Sequence, residues 1–203
     1  MPDHRQVGRA LRGLVALIET ILLAGGRGER MGGVDKASVL LDGRRLIDHL
    51  LDALPGPVIV VSPHDLPLPP GVRRVSEDPP FGGPVAGIAA AVPHVRSDLV
   101  AVLSVDAPDS PALLPVLIDA LATPGADVAL VRAADGWVQP LCAVWRREAL
   151  VAALNALEST RDVAAKKLLA AASVVEVPGA GLDTDYDTLA DLARRGNVED
   201  TTP

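Results

Sequence analysis

LIETILLAGGRGERMGGVDK, residues 17–36, carries the reading from which the rest of the chain is interpreted. Residues 17–23 are apolar almost throughout, with Glu19 as the one charged interruption, and read as a strand buried inside a sheet. The stretch then breaks into Gly25, Gly26, Gly28, Gly32 and Gly33, with Arg27, Arg30 and Lys36 among them. Such glycines leave backbone N–H groups open to an anion and allow a ligand to approach the chain closely. Together with a few cations they describe a polyphosphate cradle. Glycines alone would equally describe an ordinary turn with solvated charges.

Outward from this stretch, strand and helix patterns alternate. Leu46, Ile47, Leu50, Leu51 and Leu54 recur at helical spacing. Residues 58–61 and 72–75 read as strands, 84–92 as a helix opened by Pro84, and 99–105 as a buried strand followed by a helix to 121. Strands follow at 128–131 and 141–145, helices at 147–157 and 163–172, a strand at 174–177 and a closing helix at 188–195. The alternation implies the α/β class, with a mainly parallel twisted sheet covered by helices on both faces. In such sheets ligands sit beyond the carboxyl ends of the strands, so the side chains just past each strand are the informative ones. Residues 1–16 read as a solvated N-terminal extension that need not be ordered, and 17–203 as one domain. Arg5, Arg9 and Arg12 ahead of an apolar run at 14–23 superficially resemble a secretory signal. Glu19 interrupts that run, and it is too short to span a bilayer.

The 203 residues are 49% hydrophobic and 22% charged, a globular mixture with material for one sizeable core and not a disordered or collagen-like chain. With 19 basic against 26 acidic residues the formal charge is −7, and aromatics are 2%. Neither bulk charge nor stacking platforms for nucleic acid are present, and neither nucleic acid nor a membrane is an expected partner. The single cysteine, Cys142, cannot form an internal disulfide, so a reduced, cytoplasmic protein is expected. It falls in an apolar strand and reads as buried filler. His4, His49, His64 and His94 show no metal-ligand spacing, and no Ser-His-Asp arrangement is visible.

Two familiar phosphate motifs are excluded. A Walker A loop ends in Gly-Lys-Ser/Thr, whereas Lys36 follows Asp35 and precedes Ala37. The dinucleotide fingerprint needs a glycine where Met31 stands. Instead, LAGG at 23–26, the Arg30-Met31-Gly32 run and Asp35-Lys36 resemble the signature of the MobA-like nucleotidyltransferases. RMGGVDK fits the molybdenum cofactor guanylyltransferases among them without a gap. FGGPVAGI from Phe81 is similar to that family's Gly-Pro-Leu-Ala-Gly segment, and DGWVQPLCAVWRR from Asp135 to its Gln-Pro-Leu strand entry. Several segments match in order, from the first strand to the C-terminal helix.

The resemblance implies a three-layer Rossmann-like nucleotidyltransferase fold and Mg²⁺-dependent transfer of GMP from GTP to molybdopterin, releasing pyrophosphate. It implies that Leu23, Ala24, Gly25 and Gly26 cradle base and phosphates, that Lys36 binds the phosphates, and that Arg30 assists with the triphosphate, with a salt bridge within the loop as the equal alternative for Arg30. Asp106, in an Asp-x-Pro turn, is implied as the Mg²⁺ ligand. Its place directly after the strand at 99–105 suits that role, since carboxylate oxygens suit a hard cation; a lone aspartate there is also a common turn or cap residue. Asp109 and Ser110 are better placed to cap the next helix.

Several positions keep two readings. Asp78 is a nucleotide contact by resemblance, or a loop aspartate before Pro79. Ser62 stands where the family often carries Asn near the guanine, a departure at that contact. Asp183 and Asp185 stand where the guanylyltransferases show Asn-x-Asn. They add a second carboxylate to the metal, with Asp185 as the candidate, or cap the last helix together with Asp187. Arg161, Lys166 and Lys167 are candidates for the anionic pterin, set against a solvated helix face, which is the preferred reading for the lysines. Gly25 occupies the place where the cytidylyltransferases carry Ala, which implies room for a purine and GTP over CTP. The rivals are a cytidylyltransferase or another MobA-like nucleotidyltransferase and, in a different class, a non-catalytic nucleotide or cofactor carrier module; Lys36 and Asp106 speak against the last. The partners implied are GTP, molybdopterin and, transiently, molybdoenzymes or their chaperones.

Overall fold

Side chains along β1 (Ile18–Leu23) divide between two cores, Ile18 and Leu22 facing one and Ile21 and Leu23 the other. The same division runs through β4 (Val58–Val61), β6 (Leu99–Ser104), β7 (Val128–Arg132) and β8 (Val138–Arg146), so the central sheet is apolar on both faces. Helices α1 (Leu46–Ala53) and α3 (Leu114–Leu121) cover one face, and α2 (Pro84–Ala91) and α4 (Arg147–Asn155) the other. This is the three-layer arrangement expected from the alternation. Glu19 is tolerated inside β1 because its buried carboxylate accepts hydrogen bonds from the backbone N–H groups of Arg96 and Ser97.

The computed structural model describes residues 18–26 and 35–199. The extension expected over 1–16, together with Leu17, Arg27 and Arg30, lies outside the described residues. With β5 (Arg73–Val75) and β9 (Val174–Pro178), the seven-stranded sheet has the order β5-β4-β1-β6-β8-β7-β9. Every neighbouring pair is parallel except those made by β8, which runs antiparallel to both β6 and β7. Among the described residues no helix is long and apolar enough to cross a membrane.

Four local expectations are corrected. Strand β8 begins at Val138 rather than 141. Residues Ala165–Ala171 form a 3₁₀ helix instead of an α-helix. A second sheet joins β2 (Leu40–Leu41), β3 (Arg44–Arg45) and β10 (Val198–Glu199), strands of two residues that are too short to show periodicity. The closing helix α5 is only Leu189–Leu192, and Thr188 caps it by accepting from Asp191 N–H at 3.0 Å; Asp183, Asp185 and Asp187 do not. Asp109 likewise makes no side-chain cap on the 3₁₀ turn Ser110–Leu113, because its carboxylate is taken by the Arg195 guanidinium at 2.5 and 3.0 Å.

Candidate active site

The carboxyl ends of β1, β4 and β6 lie side by side. Ala24 N–H donates to the Val61 carbonyl and Val105 N–H to that of Leu23, both at 2.9 Å, so the three strands leave the sheet in fixed register. Past their ends opens a cavity of about 370 Å³ whose floor includes Leu23, Gly25, Gly26, Pro63 and Asp106. Its far wall is the start of α2, with Glu77, Phe81 and Gly83. Gly87 permits this closeness: a Cβ there would come within 2.9 Å of Val61 Cγ1.

A second cavity of about 450 Å³ adjoins the first and shares Pro84, Ser104, Asp106 and Leu141 with it. Trp137 from the turn before β8, with Gln139 and Pro140 from the start of β8, lines it on one side, Ala165 and Lys166 on another, and Asp183 and Asp185 close its end. Asp106 therefore stands at the junction of two adjoining spaces, each large enough for a small molecule.

Charge is concentrated at that junction. Lys36 Nζ lies 3.7 Å from Asp106 Oδ2 and 3.2 Å from Asp187 Oδ1, and donates to the Tyr186 carbonyl at 3.3 Å. Tyr186 N–H in turn donates to the Asp106 carbonyl, which ties the C-terminal acidic segment to the β6 turn. The other oxygen of Asp106, Oδ1, is buried and has no hydrogen-bond partner among the described residues. Asp185 stays open to solvent on one side, yet its carboxyl is pushed up to about 6 by burial and by the neighbouring charges of Asp106 and Asp187. Among the described residues no group of three side chains converges as a complete metal site. An orphaned carboxylate oxygen beside a crowded second carboxylate nevertheless fits a hard divalent cation that takes its remaining oxygens from substrate phosphate and water.

Each expected site residue except Arg30, which lies outside the described residues, has a definite place. Leu23, Gly25, Gly26 and Asp106 border the first cavity; Asp106 and Asp185 border the second. Ala24 is buried behind the strap, held through its backbone. Lys36 reaches the junction already paired with carboxylates rather than standing alone. Ser62 is fully buried and its Oγ accepts from His64 N–H at 3.1 Å, so it serves the turn after β4 and does not line the cavity. Asp78 is also displaced: it borders a separate groove with Arg161, while its neighbour Glu77 faces the first cavity and accepts from Gly82 N–H at 3.1 Å. Arg161 does not point into either main space. It donates to the Pro79 and Pro80 carbonyls at 2.7 and 3.3 Å, bracing the loop that carries Phe81 and Gly83. Gly25 is required by protein packing, since a Cβ there would fall 2.9 Å from Pro63 Cδ. Cys142 is buried as expected, and burial together with Asp183 and Asp185 pushes its thiol up to about 12.

Comparison with known proteins bears on the same regions. The profile of the MobA-like NTP transferase domain matches residues 20–177. A molybdenum cofactor guanylyltransferase of Pseudomonas syringae pv. tomato is 36% identical over 138 residues, 61% of this chain and 65% of that protein, so the match spans just under two thirds of that relative. One from Acidiphilium cryptum is 34% identical over 154 residues, 71% of this chain and 73% of the other. Among solved structures, molybdopterin-guanine dinucleotide biosynthesis protein A from Archaeoglobus fulgidus superposes with a TM-score of 0.67 at 22% identity, covering 88% of this chain and 96% of that one. At that identity the likeness is one of fold.

Proposed function

The chain belongs to the MobA-like NTP transferase family, and from that premise we propose that it transfers GMP from GTP to the terminal phosphate of molybdopterin and releases pyrophosphate. The curated relatives named molybdenum cofactor guanylyltransferase support this choice of substrates. The observation that carries the reading is Asp106. It stands where two ligand-sized spaces meet and keeps one buried oxygen without a partner.

In this reading GTP occupies the first cavity and the pterin the second. An already ionised phosphate oxygen of molybdopterin attacks the α-phosphorus in line, the bond from that phosphorus to the bridging oxygen of the β-phosphate breaks, and pyrophosphate departs. No general base is needed, so the protein contributes position and charge. The backbone of residues 23–26 supports the nucleotide, and among the described residues beyond its chain neighbours no atom stands within 4 Å of where a Gly26 side chain would begin. Lys36 exchanges its carboxylate partners for phosphate oxygens. Arg30 is assigned to the triphosphate on the family motif alone. Glu77, in place of Asp78 and Ser62, presents a carboxylate to the nucleotide half, where the N–H groups of guanine suit it. Asp106 and Asp185 would hold a divalent cation, taken to be Mg²⁺, which would supply charge neutralisation for the phosphates. The product then passes to a molybdoenzyme or its chaperone.

The test is pyrophosphate release with molybdopterin, Mg²⁺ and either GTP or CTP. Release with GTP well above that with CTP is expected. Release with CTP alone would make the chain a cytidylyltransferase, and nucleotide binding without pyrophosphate would make it a carrier.

A further inference from the structure

Among the described residues Trp137 is the most exposed large hydrophobic side chain, with 72% of its surface open. That indole is apolar area a planar ligand could cover. Its position is built and does not follow from a loose loop. Trp137 lies in the turn between β7 and β8, where its carbonyl accepts from Ala133 N–H at 2.8 Å and its own N–H donates to Asp135 Oδ1 at 3.0 Å. Gly136, at φ 88°, makes the bend, its N–H donating to the Ala133 carbonyl at 2.9 Å and its carbonyl accepting from the Arg132 guanidinium. Both backbone groups of Trp137 are committed, and the side chain is held at the lip of the second cavity.

The rest of that cavity defines what the indole would meet. Pro140, Val138 and Ala165 make its surface largely apolar, Gln139 adds an amide that both donates and accepts, Asp106 marks the side shared with the first cavity, and Lys166, Asp183 and Asp185 complete the charged part of the lining. A flat heteroaromatic ring with hydrogen-bonding edges and a phosphate at its far end matches this gradient. An aliphatic polyol would leave the indole wet, and a nucleic-acid strand would meet a carboxylate-lined wall. We propose that Trp137 is the stacking face for the planar ring of the acceptor and sets specificity for a pterin-type substrate. This rests on the acceptor being molybdopterin, as proposed above.

The chain has two tryptophans, and the other, Trp145, is 1% exposed, so the part of the emission that Trp137→Phe removes reports on Trp137. The wild-type protein is titrated with 6-hydroxymethylpterin phosphate, and its emission compared with that of Trp137→Phe. Quenching in the wild type that the variant lacks is expected. In parallel, Trp137→Ala should raise the KM for molybdopterin by about tenfold, the range of aromatic stacking on a ring, with Trp137→Phe restoring most of it. The KM for GTP should move less than twofold. Quenching equal in wild type and Trp137→Phe, or a molybdopterin KM unchanged in Trp137→Ala, would overturn the assignment, as would an equal rise in both KM values. Failure of the guanylyltransferase reading appears separately, as absence of pyrophosphate from the wild-type protein.

Discussion

Lys36 and Asp106 face each other across 3.7 Å, with side chains only 19% and 26% exposed, although one follows the glycine-rich loop and the other follows β6. The lysine holds one oxygen of the aspartate and leaves the other buried and unpaired. Asp106→Asn keeps the volume and removes the charge. Its kcat for pyrophosphate release should fall by about 10²–10³-fold, as when a group aimed at transition-state charge is lost. Thermal unfolding should stay within a few degrees; a fall in kcat under tenfold would take Asp106 out of the chemistry.

Lys36→Met removes the contacts to Tyr186 and Asp187 along with that to Asp106. Three carboxylates, Asp106, Asp185 and Asp187, then share one region with one positive charge fewer. A loss of about 1 kcal/mol, lowering Tm by roughly 2–4 °C for a chain of this size, is expected for these partly open pairs. A rise in the KM for GTP should accompany it. An unaltered Tm would mean that the lysine does not anchor the C-terminal segment.

Asp185 supplies a pH dependence. Its folded value of about 6 lies above the 3.8 of an unconstrained aspartate, so the folded chain holds this proton more tightly than the unfolded one. Its contribution to stability is therefore full in acid and is lost as pH rises through about 6. Asp185→Asn should have a higher Tm than the wild type at pH 7.5, with the difference shrinking at pH 4. Added Mg²⁺ should raise the wild-type Tm at pH 7.5 more than that of the variant. Equal responses to Mg²⁺ would remove Asp185 from the cation.

Gly25→Ala brings a methyl group to 2.9 Å from Pro63 Cδ. Overpacking of this kind costs about 1–3 kcal/mol. Pro63→Ala in the same chain should restore most of the stability. If GTP affinity returns with it, the glycine is needed for the seam between the strap and Pro63; affinity that stays low in the double variant would place the clash on the nucleotide.

Arg161→Met releases the Pro79 and Pro80 carbonyls and with them the loop that carries Phe81 to the nucleotide cavity. The KM for GTP should rise several-fold, about 1 kcal/mol for hydrogen bonds to a partly exposed charged group, with the KM for molybdopterin little changed. A change confined to molybdopterin would return Arg161 to the pterin.

The architecture could be read from residues such as Ile18, Leu22, Val100 and Val102, because a strand buried on both faces announces itself as an unbroken apolar run. The antiparallel course of β8 could not, since apolar content is the same whichever way a strand runs. The second sheet carried one cue, Asp42-Gly43, both at positive φ in the turn between β2 and β3, as a tight hairpin requires. At the site, Asp106 stood out because it directly follows a strand. Glu77 and Asp78 are adjacent in sequence and share the groove beside Arg161, but only Glu77 also borders the first cavity, a difference set by the turn around Gly82 and invisible to spacing. Arg161 was assigned by its charge, whereas its partners are carbonyls that only the folded loop presents.

Strand β10 pairs with β2, and Tyr186 and Asp187 meet Lys36. During synthesis the ribosome delivers Lys36 150 residues before Tyr186. A nascent chain can assemble most of its sheet before the lysine meets these partners, so the phosphate end of the cleft takes shape only after residues 186 and 187 have been made. Messages truncated after the codon for Pro178 would therefore yield a folded but unfinished cradle.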